Sequence, residues 1–166
     1  MSGILANDAT PPRRPLRQLL RSQVVPVSVD DAFAFFADPL NLEAITPPWL
    51  GFRVLSHPDT LEPGALIDYR LSLHRVPLSW RTRIEVWEPG RRFVDLQLRG
   101  PFGHWEHVHE FAPVDGGTLI VDRVRYRMPL GLLGAVAHVV LIGGDLDRIF
   151  DFRRDAVARL LAQPAR

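Results

Sequence analysis

Between residues 50 and 127 the hydrophobic pattern reads as a succession of short strands, centred near residues 53, 70, 83, 96, 107 and 122. Turn chemistry bounds them at Pro63-Gly64, Pro77, Pro89-Gly90, Gly100-Pro101 and Asp115-Gly116-Gly117. Short strands joined by short turns predict an antiparallel meander. Ahead of them, Leu16 to Val29 is rich in β-formers and predicts a first strand. Ser28 or Asp30 then caps a helix with apolar positions at Phe33, Phe36 and Ala37, and Asp38-Pro39 breaks it. A second short helix is expected over Leu40 to Ile45, ended by Thr46-Pro47-Pro48. After the strands a helix is predicted from about Leu130 to Leu161, with Gly143-Gly144 bending or interrupting it. Its second half is amphipathic, with Leu146, Ile149, Phe150, Val157, Leu160 and Leu161 interleaved with Asp and Arg.

This order predicts an α+β fold. A curved antiparallel sheet of six to seven strands wraps the long C-terminal helix, with two short helices after the first strand. The sheet has one large apolar face, and the last helix is its only large partner. Two short helices cannot fill the remaining concavity, so a cavity is expected. Pro11, Pro12 and Pro15 oppose pairing near the start, so residues 1–15 are expected to be a flexible tail and residues 16–162 a single domain.

One hairpin carries most of the information. Asp115-Gly116 suits a two-residue type I′ turn, which needs positive φ at both central positions. That turn pairs Val114 with Gly117; continuing outward, Phe111 pairs with Ile120, His109 with Asp122, His107 with Val124 and Trp105 with Tyr126, and these last four pairs share one face. The opposite face pairs Glu110 with Val121, Val108 with Arg123, Glu106 with Arg125 and His104 with Arg127. The second face is charged and should meet water. The first is aromatic and apolar and should face the helix, yet it holds His107, His109 and Asp122, which need partners or a wet pocket. The Pro89-Gly90 hairpin is ambiguous. A two-residue turn places Asp95 and Gln97 on the face of Ile84 and Val86; a loop of odd length places Val94, Leu96 and Leu98 there instead.

Composition narrows the chemistry. The chain has 166 residues, 46% hydrophobic and 23% charged, which suits one globular domain with a real core. It contains no cysteine, which removes disulfides, thiolate catalysis and cysteine-based zinc sites and is compatible with a cytoplasmic location. All 20 basic residues are arginine, so a Schiff-base or phosphate-loop lysine is impossible. The net charge is +1 with both signs interspersed, which does not suggest a nucleic-acid surface. The N-terminus lacks the apolar core of a secretory signal. The longest apolar stretch, Leu130 to Ile142, falls short of the roughly 20 residues a spanning helix needs, so no stable membrane insertion is expected. A monomer or homodimer is expected.

Several segments together resemble a known superfamily. They are Phe33-Ala34-Phe35-Phe36-Ala37-Asp38-Pro39-Leu40-Asn41-Leu42, Ile45-Thr46-Pro47-Pro48, and Gly100-Pro101-Phe102 followed by Trp105, His107, His109 and Phe111. Asp122, Tyr126, Met128-Pro129 and Ile149-Phe150-Asp151-Phe152-Arg153 add to them. From about residue 20 to 160 the chain is similar to a bacterial branch of the START-like, or SRPBCC, superfamily, which includes polyketide cyclase/dehydrase and coenzyme Q-binding members. The resemblance implies the helix-grip fold and a deep cavity between sheet and C-terminal helix for lipids, polyketides, isoprenoid-like or other hydrophobic molecules. No cofactor is expected.

The polar strip admits three readings. His107 and His109 with Asp122 could hold a metal and leave an open position. His109 oriented by Asp122, with His107 nearby, could move a proton on an enolisable ligand, as a cyclase or dehydratase requires. The plainest reading is that these groups bond one another or a ligand's polar end; it assigns no metal. Ligand-binding candidates are then Tyr69, Trp105, His107, His109, Phe111, Asp122 and Tyr126, with the four aromatics serving equally well as core. The stretch Leu132, Leu133, Val136, Val139 and Val140 could guard a pocket mouth, touch a membrane or pack under the sheet. Arg123, Arg125 and Arg127 read as a solvated face. An interaction domain working through the exposed sheet would need Val94, Leu96 and Leu98 to point outward. Nucleophile-elbow, dinucleotide-loop and phosphate-loop signatures are missing, which leaves hydrolase, dehydrogenase and nucleotidase readings unsupported.

Overall fold

The computed structural model describes residues 16–129 and 143–162. The N-terminal tail, the first half of the expected helix and its apolar stretch Leu132 to Val140 therefore lie outside the described residues. Seven strands form one antiparallel sheet: β1 (Arg17–Val25), β2 (Arg53–Ser56), β3 (Leu66–Leu73), β4 (Val76–Glu88), β5 (Arg92–Arg99), β6 (His104–Val114) and β7 (Gly117–Arg127). Their order across the sheet is β1-β7-β6-β5-β4-β3-β2, so β2 to β7 form a meander and β1 returns to pair with β7. Two short helices, α1 (Val29–Ala37) and α2 (Asn41–Ala44), follow β1, and α3 (Gly143–Leu161) closes the chain.

β1 is shorter than the valine pattern suggested. It stops at Val25, and Val29 already belongs to α1. Ser28 ends the extended run: its hydroxyl accepts from the Asp31 backbone N–H at 3.1 Å, and Asp30 and Asp31 sit in the first turn, where the helix dipole favours acids. α1 then lays Phe33 and Phe36 onto Phe93 and Phe111 of the sheet. Burying each such ring contributes about 1.5–3 kcal/mol.

The β6–β7 register is the one the sequence predicts at every pair, from Val114↔Gly117 to His104↔Arg127. The turn is of another type. Positive φ occurs at Gly116 (82°) but not at Asp115, which is the pattern of a type II turn. Gly117 is required for a different reason: a Cβ there would lie 1.9 Å from the Val25 carbonyl oxygen, where β1 meets the hairpin. The β3–β4 connection also departs from expectation. Pro77 lies inside β4 opposite Ser72, and the chain reverses at His74-Arg75, both with positive φ.

The ambiguous β4–β5 hairpin resolves in an instructive way. Its loop is odd, because Glu88 pairs with Arg92. An odd loop alone would put Asp95 on the face opposite Ile84 and Val86. A bulge at Glu85 shifts the register by one, so Val86 opposes Val94 but Ile84 opposes Asp95. Asp95 thereby faces the concave side with Ile84, while Val94 and Leu96 are outward and half-buried and Leu98 is exposed.

Three apolar groups occupy the concave side. One gathers the phenylalanines under α1, one joins Trp80, Trp105 and Tyr126 to Leu146 and Phe150 of α3, and one holds Leu61, Ile67 and Ile84. Among the described residues, no helix is long and apolar enough to cross a membrane.

Candidate functional site

The three apolar groups do not meet completely. Between them is a cavity of about 200 Å³, bounded by Ile67, Trp80, Ile84, Trp105, Ile149 and Phe150 among others. One wall is polar: Asp95, His107, His109, Thr82 and Arg153 all reach it, with Tyr69 nearby.

Strand alternation puts His107 and His109 side by side on the inner face of β6, their ring centres 3.7 Å apart. His107 Nε2 donates to Asp122 Oδ1 at 2.8 Å. His109 Nε2 donates to Asp95 Oδ2 at 2.9 Å, and its ring stacks on Phe93 with centres 4.1 Å apart. His109 Nδ1 lies 3.0 Å from Asp122 Oδ1 without hydrogen-bond alignment. Thr82 Oγ1 donates to Asp95 Oδ1 at 3.3 Å. From α3, Arg153 brings its Nε to 3.7 Å from Asp122 Oδ2 and lies over the Phe36 ring. Its Nε and Nη2 are buried without a hydrogen-bond partner.

These contacts set the charges. Burial alone would raise both carboxyls. For Asp122 the Arg153 charge and the two histidines outweigh burial and hold it well below the ordinary carboxylate range. For Asp95 the bond from His109 and the charges of His107, His109 and Arg153 do the same more weakly. Burial and the His109 charge lower His107, against the pull of Asp122. Burial also works to lower His109, but the Asp122 and Asp95 carboxylates beside it win and raise it. Two carboxylates thus face the Arg153 guanidinium, with His109 shifted toward its charged form and His107 toward its neutral form. Burial, then the Asp95 charge, raises the Tyr69 hydroxyl well above its usual value, so it stays a donor.

The predicted site residues separate into two layers. Tyr69, Trp105, His107 and His109 line the cavity. Asp122 sits behind the histidines, Phe111 packs against Phe33 and Phe36, and Tyr126 packs against Phe102 and Trp105. The pairing differs in detail from the expected His109–Asp122 couple, since Asp122 takes the His107 bond and Asp95 takes His109. Two participants were not singled out in the sequence. Asp95 was hidden by the bulge. Arg153 had a visible signal: Leu146, Phe150, Arg153 and Val157 stand at i, i+4, i+7 and i+11, so the arginine lies on the apolar stripe of α3.

Comparison with known proteins agrees with this architecture. Residues 25–149 match the family model described as polyketide cyclase / dehydrase and lipid transport. The chain belongs to that family. A solved protein from Chromobacterium violaceum superposes with a TM-score of 0.71 at 14% identity, covering 89% of this chain and 99% of its own. The Zhui aromatase/cyclase from Streptomyces sp. R1128 superposes with a TM-score of 0.66 at 17% identity, covering 88% of this chain and 93% of its own. The di-domain ARO/CYC StfQ from the steffimycin biosynthetic pathway gives 0.69 at 13% identity, covering 89% of this chain and 51% of its own. These likenesses show the fold, the helix grip expected from the sequence. No curated protein sequence matches the chain.

Proposed function

We propose that this protein binds a compact, mostly apolar small molecule in the cavity between sheet and α3, with the ligand's polar end against the Asp95–His107–His109–Arg153 wall. The observation that carries the reading is the lining: a mostly apolar cavity in which Thr82, Asp95, His107, His109 and Arg153 gather on one wall. The volume of about 200 Å³ favours a ring-sized ligand of polyketide or isoprenoid character over a whole acyl lipid, since about 150 Å³ already accommodates benzene. The absence of cysteine is compatible with work in the cytoplasm, as a monomer or homodimer.

Native mass spectrometry of the protein purified gently from its own cells tests this. A co-purified small molecule is expected, and Ile84→Trp, which fills the cavity, should abolish its retention. Equal retention by the variant would place the ligand elsewhere.

A second reading is a cyclase- or dehydratase-type enzyme with His109 and Asp122 as its acid–base pair. It is supported by His109 facing the cavity with Asp122 Oδ1 3.0 Å from its Nδ1. It requires an enolisable ligand to be converted by wild type and not by His109→Gln. Unchanged turnover in that variant would remove the reading.

A further inference from the structure

Metal-ligand chemistry converges at the polar end of the cavity. His107 and His109 project from one face of β6, and Asp95 is the cross-strand partner of His107 on β5. One donor atom from each of the three lies within 4.8 Å of the other two. Asp95 Oδ2 is 2.9 Å from His109 Nε2 and 3.8 Å from His107 Nδ1. Donors that share one ion at about 2.0–2.2 Å stand roughly 3–3.5 Å from each other, and the two separations bracket that range.

The direction of the hydrogen bonds sharpens the geometry. A carboxylate can only accept, so His107 Nε2 carries the proton it gives to Asp122. In the neutral ring, Nδ1 is then a lone pair, and the nearest carboxylate oxygen it meets is Asp95 Oδ2, also electron-rich. Two acceptors turned toward one another, with a second imidazole beside them, suit a cation.

We infer that Asp95, His107 and His109 bind a divalent first-row transition ion whose remaining coordination positions open onto the cavity. The support around these residues matches what metal ligands require. Asp122 Oδ1 accepts from His107 Nε2 at 2.8 Å and so orients that ring, and it lies 3.0 Å from His109 Nδ1. Thr82 holds the other oxygen of Asp95. Two imidazoles with one carboxylate select zinc or iron over magnesium and calcium, which prefer oxygen. This places Asp95, not Asp122, as the third ligand. On binding, the ion replaces the proton that His109 Nε2 gives to Asp95, and that proton leaves to solvent. Arg153 on the same wall then lets an anionic or carbonyl oxygen of a ligand approach the ion.

The test uses the full chain, stripped of metal with a chelator and free of organic ligand, so its outcome is independent of whether the cavity binds an apolar molecule. Co2+ is followed by its visible absorption, and Zn2+ by competition with a chromophoric chelator. One equivalent of each is expected to bind wild type. Asp95→Asn, His107→Gln and His109→Gln should each weaken Zn2+ binding by about 100-fold or more, and Asp122→Asn by about 10–100-fold. His74→Gln, an exposed histidine on the β3–β4 turn, should bind as wild type does. Wild-type melting temperature should rise with Zn2+ and not with Mg2+, a readout that needs no variant to fold. Absence of binding and of a Zn2+-dependent rise, or equal binding by the three ligand variants, overturns the inference.

Discussion

The β6–β7 hairpin carries charged pairs on both faces, and the two faces behave differently. Outward, Arg125 makes three hydrogen bonds to Glu106, and Arg123 reaches Glu110 at 3.2 Å. Inward, the same strands hold His107, His109 and Asp122, all buried, with Arg153 covering them from α3. The outward bonds are more numerous, yet water competes for both partners and screens them. The inward groups have surrendered their hydration and cannot recover it if a partner is lost. Number of contacts therefore misleads here; what each group falls back on decides its importance.

The largest expected effect breaks the inward face. Asp122→Ala leaves His107 and Arg153 buried without their carboxylate and should cost about 3–5 kcal/mol in urea unfolding of the metal-free protein. Glu106→Ala, on the outer face of the same hairpin, should cost about 1 kcal/mol or less. Similar losses for the two would dissolve the contrast between faces.

A double-mutant cycle sharpens it. Arg153→Met keeps most of the side-chain length while removing the charge. Combined with Asp122→Asn it should show a coupling of about 0.5–3 kcal/mol, because each group is the other's compensation. A coupling near zero would mean that the 3.7 Å approach of Arg153 Nε to Asp122 Oδ2 carries no energy.

Raising the salt concentration sharpens it further. From 0.1 to 1 M the screening length falls from about 10 Å to about 3 Å. The coupling between Glu106 and Arg125 should fall by half or more, and that between Asp122 and Arg153 should change little. Equal sensitivity would show that water reaches the inner face.

The smallest effect concerns acid. Hydrogen bonding by Arg81 outweighs burial and holds the Asp68 carboxyl below its ordinary value. A depressed folded-state carboxyl stabilises above its unfolded value, and that contribution is lost as pH falls through the folded one. For this solvated pair the contribution should be only a few tenths of a kcal/mol. Asp68→Asn should therefore shift the unfolding free energy at pH 6 by about that amount and leave it unchanged near pH 2. A larger difference at pH 6 would make the outer face more than a solvated one.

Much of the fold was legible in residue order, and the reasons are local. The 2-residue period of β6 and β7 settled which side chains share a face, and the Asp115-Gly116 turn settled their partners. That register held although the turn adopts type II geometry, because register follows loop length while turn type follows the φ values Asp115 and Gly116 take up. The candidate site was half legible. His107, His109 and Trp105 were found on the cavity side from alternation alone. Asp95 was not, since its facing depends on an odd loop offset by a bulge at Glu85, and neither leaves a distinctive residue pattern. Arg153 was present on the α3 stripe but read as part of the charged interleaving.

By itself, then, the sequence determined the meander, the faces of the β6–β7 hairpin and the concave sheet around a terminal helix. Periodicity and turn chemistry are short-range, and each is written within about ten residues. Tertiary structure alone decided that Asp95, from one hairpin, and Arg153, from a helix far along the chain, meet the two histidines. It also decided that Asp122 stands behind the histidines and outside the cavity lining. Those outcomes depend on a register shift, on sheet curvature and on helix placement, and burial then fixes the charges of the groups brought together.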